Sequence, residues 1–212
     1  MAITLEQILI DANATLDLEA SLPTGDELTL RTNYANQAVR DAVVTGQLSE
    51  MTQEYVIASS TLATIPLPAN FYEFKHDPMV LDSVGNWHPY PEIGPEEKYD
   101  YSSGDRYCYV MGNPREGYNA IFNNLISNAT LSIILSRFPT GMATLSDKCE
   151  LSDPTYVVRS IESYVLYSRG DERFPTAKSE KERQLKNMMG RDMKTAGGQV
   201  HTTKSNFRNP LR

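Results

Sequence analysis

The side chains of this 212-residue sequence best suited to acid–base or metal chemistry are three histidines, two cysteines and one tight group of acids. His76, His88 and His201 fall in three different segments, and none stands at the spacing that brings two imidazoles to one ion. His76 and Asp77 are adjacent, and in extended chain adjacent side chains point to opposite sides, so the acid is badly placed to orient the imidazole as a base. Glu96, Glu97 and Asp100 follow Gly94-Pro95 and offer either a carboxylate pair or oxygen ligands for a cation. Acids also favour the first turn of any short helix, where they meet the positive end of the dipole, and this plainer reading is preferred. Cys108 and Cys149 lie 41 positions apart with no CxxC pair, which removes a zinc ribbon, a thioredoxin-type site and a disulfide framework together, and leaves two reduced thiols. The phosphate-loop, dinucleotide, nucleophile-elbow and HExxH patterns are all missing. No catalytic, cofactor-binding or metal-ligating residue is assigned, and no cofactor is expected.

Tyrosine carries more information. Tyr90, Tyr99, Tyr101, Tyr107, Tyr109 and Tyr118 place six of the twelve tyrosines within 29 residues. Tyrosine suits both half-buried sheet positions and protein interfaces. A nucleic-acid stacking platform would need interleaved cations, and only Lys98, Arg106 and Arg115 are near. Tyr99, Tyr101, Tyr107 and Tyr109 are therefore expected at a contact between subunits, with sheet packing as the plainer reading.

Charge divides the chain unevenly. Residues 1–171 hold 10 basic and 23 acidic side chains, and residues 172–212 hold 10 basic and 4 acidic, so the body carries −13 and the end +6. A duplex-binding domain needs a basic face to release counterions, and this acidic body lacks one. The basic end suits docking on another surface. Met188, Met189 and Met193 add an adaptable apolar face beside its charges, and Phe207 and Leu211 give anchors in an otherwise polar tail.

These groups must be positioned by elements that the spacing announces. Thr4-Leu5-Glu6-Gln7 is a capping-box pattern that opens a helix to about Ala20, with Leu5, Ile8, Leu9, Ala12 and Leu16 in one stripe. A second box, Thr24-Gly25-Asp26-Glu27, opens a helix to Thr45 that turns Leu28, Ala35, Ala38, Val39, Ala42 and Val43 inward, with Gly46 as its stop. From about Gln53 the grammar changes to short β-rich runs over 54–59, 62–67, 79–84, 87–92, 107–111, 118–122 and 131–138. Gly85-Asn86 reads as a two-residue hairpin turn, and Pro66, Pro68, Pro89 and Pro91 restrict their strands to edges or ends. Asp153-Pro154 starts a third helix with Tyr156, Val157, Ile161, Tyr164, Val165 and Ser168 on its stripe, ended by Gly170. A fourth runs from Pro175 to Lys194, with Ala177, Leu185 and the three methionines as its few apolar residues, and Gly197-Gly198 releases the tail.

The opening twenty residues contain four acids and no Lys or Arg, unlike a secretory signal. No run approaches the roughly 18 apolar residues of a spanning helix. The chain reads as a soluble protein without a membrane partner, and its two Asn-x-Thr sequons, at Asn13 and Asn128, as chance. At this length roughly 70% of the unfolded surface can be buried, so no staple is needed. The expected fold is α+β: a four-helix bundle-like core with an inserted antiparallel β region and an extended C-terminal arm. Residues 1–50 and 150–196 form the discontinuous helical domain, 51–149 the β-rich insert and 197–212 a flexible arm.

With those elements in order, the chain resembles the head-to-tail adaptor, or connector, proteins of tailed bacteriophages, especially the short-tailed phages. The carriers are residues 4–13 (TLEQILIDAN), 31–41 (RTNYANQAVRD), 65–71 (IPLPANF), 109–114 (YVMGNP) and 151–167 (LSDPTYVVRSIESYVLY). None is a catalytic signature; the likeness lies in the order of phrases over most of the chain. It implies a structural virion protein, not an enzyme, forming a ring, usually twelvefold, beneath the portal in the neck of the particle. Such a ring joins the portal protein to tail or nozzle proteins, and DNA passes its channel without sequence-specific binding; the subunits occupy the host cytoplasm during assembly. It also implies a C-terminal segment reaching toward the portal, which here means Arg183, Lys186, Met189, Arg191, Lys194, Phe207, Arg208 and Leu211. Two other readings stand beside it: an enzyme or small-ligand binding domain using the tyrosine-rich sheet, and another tail or neck completion subunit.

Overall fold

In the computed structural model, residues 3–16, 19–46, 48–60 and 62–195 are described. Helix α1 spans Leu5–Thr15 and starts on Thr4, whose Oγ1 accepts from the Gln7 amide at 3.4 Å. The capping box is only half made, because Gln7 Nε2 reaches forward to Asp11 Oδ1 at 2.8 Å. The helix also ends sooner than the expected Ala20. Asn13 donates its side-chain amide to the Ser21 carbonyl at 2.6 Å, tying the chain beyond the helix back to its last turn. Helix α2 spans Gly25–Gly46, and its Glu27 turns to Arg31 (2.9 Å) and Arg169 (3.3 Å). Helix α3 spans Thr155–Arg169 and closes on Gly170, whose φ of +64° is the left-handed cap glycine supplies without strain. Helix α4 spans Phe174–Thr195.

Among the described residues, eight strands lie between α2 and α3: β1 (Thr52–Ser60), β2 (Thr64–Pro66), β3 (Phe71–Phe74), β4 (Met79–Leu81), β5 (Trp87–Pro89), β6 (Tyr107–Asn113), β7 (Gly117–Asn123) and β8 (Ala129–Arg137). They form two antiparallel sheets. In the larger, β8 pairs with β1 along one side and with β3 and β4 along the other, and β5 extends β4; the smaller has the order β2-β7-β6. Ala129, Leu131, Ile133 and Leu135 alternate along β8 and bury against Ile65, Cys108, Ala120 and Phe122 of the smaller sheet. The proline-bearing strands β2 and β5 lie at sheet edges. The Gly85-Asn86 turn is longer than two residues: Leu81 pairs with Trp87, and Asp82 Oδ1 accepts from the amides of Val84 (2.9 Å) and Asn86 (2.8 Å).

The class is α+β, but the four-helix bundle core is not present. The helices measure 11, 22, 15 and 22 residues, so at 1.5 Å per residue α1 is about 16 Å and α3 about 23 Å long beside α2 and α4 of about 33 Å. Such unequal rods cannot share the successive core layers of a bundle. Instead α3, buried at Tyr156, Val157, Val158, Ile161, Val165 and Leu166, is the axis on which α1, α2 and α4 pack. Loop residues Leu48, Met51, Met142, Cys149 and Leu151 complete that core, and the sheets enclose a second one between them. Ser168, expected on the inner stripe of α3, is exposed. The extended arm, 197–212, lies outside the described residues.

Candidate functional site

A cleft of about 710 Å³ opens between α2, α3 and α4. Helix α2 presents Tyr34, Asp41 and Thr45 at i, i+7 and i+11; α3 gives Tyr156 and Tyr164; α4 gives Phe174, Lys178, Lys181 and Leu185. Most of these are apolar or aromatic, with one polar network at the centre. The Tyr164 hydroxyl donates to Asp41 Oδ2 at 2.5 Å and accepts from Lys181 Nζ at 2.9 Å, while Lys181 stands 3.8 Å from the same carboxylate. Burial, and then the Asp41 carboxylate that takes its hydrogen bond, push the Tyr164 phenol far above its ordinary range. Burial pulls the Lys181 ammonium down, against the opposing pull of Asp41. Tyr34 lies 5.4 Å from Tyr164, centroid to centroid, and fixes the ring. This is a site for apolar contact with a few oriented polar groups. Sequence reading missed it: Tyr164 counted only as apolar stripe, and Asp41 was given no role. The signal was the spacing of Tyr34, Asp41 and Thr45 along one edge of α2.

The four tyrosines expected at a subunit contact do come together. Tyr107 and Tyr109 stack on one face of β6 at 6.4 Å, and Tyr101 tilts against Tyr107 at 5.1 Å. Lys98 Nζ lies over the rings of Tyr99 (4.9 Å) and Tyr109 (5.7 Å), which joins the Glu97–Asp100 turn to the array. Their exposure differs: Tyr107 is buried, Tyr109 half-buried, Tyr101 43% exposed and Tyr99 81% exposed. Met111 follows on the same face of β6 and is 49% exposed. Tyr90 belongs elsewhere. It is fully buried, donating to the Asn124 carbonyl (2.9 Å) and accepting from the Ile126 amide (3.2 Å).

Of the residues assigned to portal binding, Arg183 and Lys186 are exposed on α4 and Met189 is half-buried. Arg191 is exposed but paired: its guanidinium meets the buried Asp153 Oδ2 at 2.8 Å, where Gln184 also donates at 2.8 Å, tying α4 to the start of α3. Met188 is buried in the helical core and is not part of an adaptable outer face. The side chain of Lys194, and Phe207, Arg208 and Leu211, lie outside the described residues, as does the side chain of Met193.

The candidate acid–base groups are engaged locally. Asp77 accepts from the Glu92 amide (3.3 Å), and Glu97 accepts from the Gly94 amide (3.0 Å). His88 bonds through Nε2 to Asp82 (2.8 Å) and through Nδ1 to Arg106 (3.0 Å). Burial pushes the Cys108 thiol far up and the Cys149 thiol up, so neither is a ready thiolate. Among the described residues no group of His, Cys, Asp and Glu is placed to hold a metal ion, and no helix is long and apolar enough to cross a membrane.

The chain matches no protein-family model, and no curated protein is similar to it.

Proposed function

We propose that the protein is a structural subunit of the neck of a tailed phage: a ring, usually twelvefold, that joins portal to tail and passes DNA through its channel. The observation that carries the proposal is the partly exposed cluster in which Tyr99 and Tyr101, on and just after the Glu97–Asp100 turn, gather beside Tyr109 and Met111 of the edge strand β6. Tyrosine and methionine exposed together are enriched at protein contacts. The phrase-by-phrase likeness to head-to-tail adaptors and the division of charge support the same reading. A ring of acidic subunits repels duplex DNA and lets it slide, while Arg183, Lys186 and the +6 end leave docking charge for the portal.

The cleft favours a second reading, a small-ligand binding domain, although on the helices and not on the tyrosine-rich sheet. The groups there argue for binding over turnover. The Tyr164 proton is held by Asp41, and the charge on Lys181 is matched by the same acid.

The two readings separate on particle size and on the arm. Light scattering of the chain alone and with portal rings is expected to give a larger joint particle, whereas a ligand-binding domain stays small in both. Deleting residues 197–212 is expected to weaken the joint particle. Undiminished affinity for portal would contradict the role given to the arm.

A further inference from the structure

Strand β1 forms one side of the larger sheet, paired with β8 and with no strand on its other side among the described residues. We propose that this open edge pairs antiparallel with the β1 of a second copy, joining the larger sheets of two chains into one.

The other edges of the two sheets are blunted. Strands β2 and β5 are three residues long and each ends in proline. Strand β3 has four residues and a broken register. The edge of β6 is occupied near its start, where Cys108 donates to the Pro91 carbonyl (3.0 Å) and accepts from the Ile93 amide (2.9 Å), and Gly112, at φ +123°, leaves the ordinary strand conformation further on. Strand β1 has none of these devices. Its nine residues, TQEYVIASS, contain no proline, glycine, lysine or arginine. Glu54, its one charge, is drawn toward β8, where its carboxylate accepts from Ser132 Oγ at 2.8 Å. Val56 is 54% exposed. A long strand left open in this way is a template for another.

Backbone geometry names the unpaired groups. On the far side of β8 the Lys75 amide donates to the Ile134 carbonyl at 2.9 Å, so Ile134 points its peptide groups away from β1. Its neighbours Ile133 and Leu135 therefore point theirs at β1, toward Tyr55 and Gln53. By alternation Glu54 and Val56 turn their N–H and C=O groups to the open edge, while the Thr52 N–H is already given to the Ser49 carbonyl.

A partner strand must itself be open, and among the described residues only β1 offers such an edge. About a twofold axis at Tyr55, Glu54 of each copy falls opposite Val56 of the other, and each such pair exchanges both hydrogen bonds. Tyr55 then lies beside Tyr55 of the second copy as an aromatic cross-strand pair. A slide one way opposes Glu54 to Glu54 of the second copy, and like charges directly opposite repel. A slide the other way carries Glu54 past Ile57, where the register is irregular. The strand is thus complementary to itself in one register. The contact is twofold, so it pairs copies without closing a head-to-tail ring, and it is independent of the ring reading.

Sedimentation of the full-length chain over a range of concentrations, without portal, tests the pairing. Wild type is expected to form a concentration-dependent dimer. Val56→Pro deletes an edge N–H but keeps the bonds that Gln53, Tyr55 and Ile57 make to β8, and is expected to weaken the dimer at least roughly tenfold with unchanged circular dichroism. If that variant does not fold, Val56→Lys charges the same exposed position and is expected to act in the same direction. Disulfide formation reads the register, since Cys108 and Cys149 are both buried. Chains with Glu54→Cys mixed with chains with Val56→Cys are expected to cross-link at least roughly tenfold faster than Glu54→Cys alone, because only directly opposite positions fall within bridging reach. Three results would each overturn the proposal: a wild type that stays monomeric, a dimer that the folded Val56 variants leave at full strength, or a dimer lost on deleting residues 197–212, which would give the edge to the arm.

Discussion

His88 lies between an acid and a base, its Nε2 2.8 Å from Asp82 Oδ2 and its Nδ1 3.0 Å from the Arg106 guanidinium. Arginine can only donate, so Nδ1 must be the acceptor and Nε2 must carry the proton given to Asp82. The neutral imidazole with its proton on Nε2 is therefore the form that satisfies all three groups, and it links the β4–β5 hairpin to the residue that enters β6.

Protonating Asp82 removes the carboxylate charge that anchors this chain of contacts. His88 first, and then the Asn86 amide, hold the Asp82 carboxyl down at about 2, against an ordinary 3.8. A carboxyl depressed in the folded state stabilises the fold above its unfolded pKa, and that stabilisation is lost as pH falls through the folded value. In urea titrations, wild type is expected to exceed Asp82→Asn at about pH 5, with the gap closing as pH drops from about 4 toward about 2. An unchanged gap across that window would show that the contact to His88 does not set the Asp82 pKa.

The cleft network makes a separate statement about stability. Tyr164→Phe removes the hydroxyl that both Asp41 and Lys181 use, and is expected to cost about 1 kcal/mol in chemical denaturation. Asp41→Ala removes the acid paired with the half-buried Lys181 ammonium, leaving Glu182 as a weaker partner, and is expected to cost more, about 2 kcal/mol. Equal losses would mean that the lysine finds another partner.

Two glycines with positive φ separate strain from collision. Gly85 (φ +90°) has nothing within 4 Å of an added Cβ, so Gly85→Ala is expected to cost about 1 kcal/mol of backbone strain alone. Gly112 (φ +123°) would place a Cβ 2.1 Å from the Gly117 carbonyl oxygen. Gly112→Ala must therefore break the β6–β7 hairpin, with a loss above about 3 kcal/mol by thermal or urea melting.

The two cores are expected to respond alike to truncation. Ile161 at the helical axis and Ile133 between the sheets are both fully buried. Ile161→Ala and Ile133→Ala should each cost roughly 2–5 kcal/mol, measured by denaturation. A loss below about 1 kcal/mol at either site would mean that its surroundings collapse to fill the space.

How much of this was legible in the sequence depended on whether the signal was local. The stripe of Leu5, Ile8, Leu9 and Ala12, the Thr4 cap and the Gly170 stop are properties of neighbours along the chain, and each stands in the structure. Strand β3, Phe71–Phe74, has no clear alternation and was missed; its pairing with β8 is irregular, with a register shift between Phe71 and Glu73. The bundle expectation failed because periodicity reports that a face is buried and not what covers it: Ala35, Ala38 and Ala42 announced close packing, and the neighbour on α3 was settled only in three dimensions. The tyrosine excess was visible, but its division into Tyr90 inside and Tyr99 outside was not. The cleft was the hardest to see, since Asp41, Tyr164 and Lys181 are more than a hundred residues apart at the extremes and meet only through helix packing.

On the function proposed above, the chain works by geometry, as one segment of a ring at the portal, and electron microscopy of the purified chain mixed with portal rings is the decisive experiment. The expected images are end-on rings stacked on the portal, with repeated subunits around a channel wide enough for duplex DNA. Portal rings that remain bare, with the chain left free as single subunits, would contradict it.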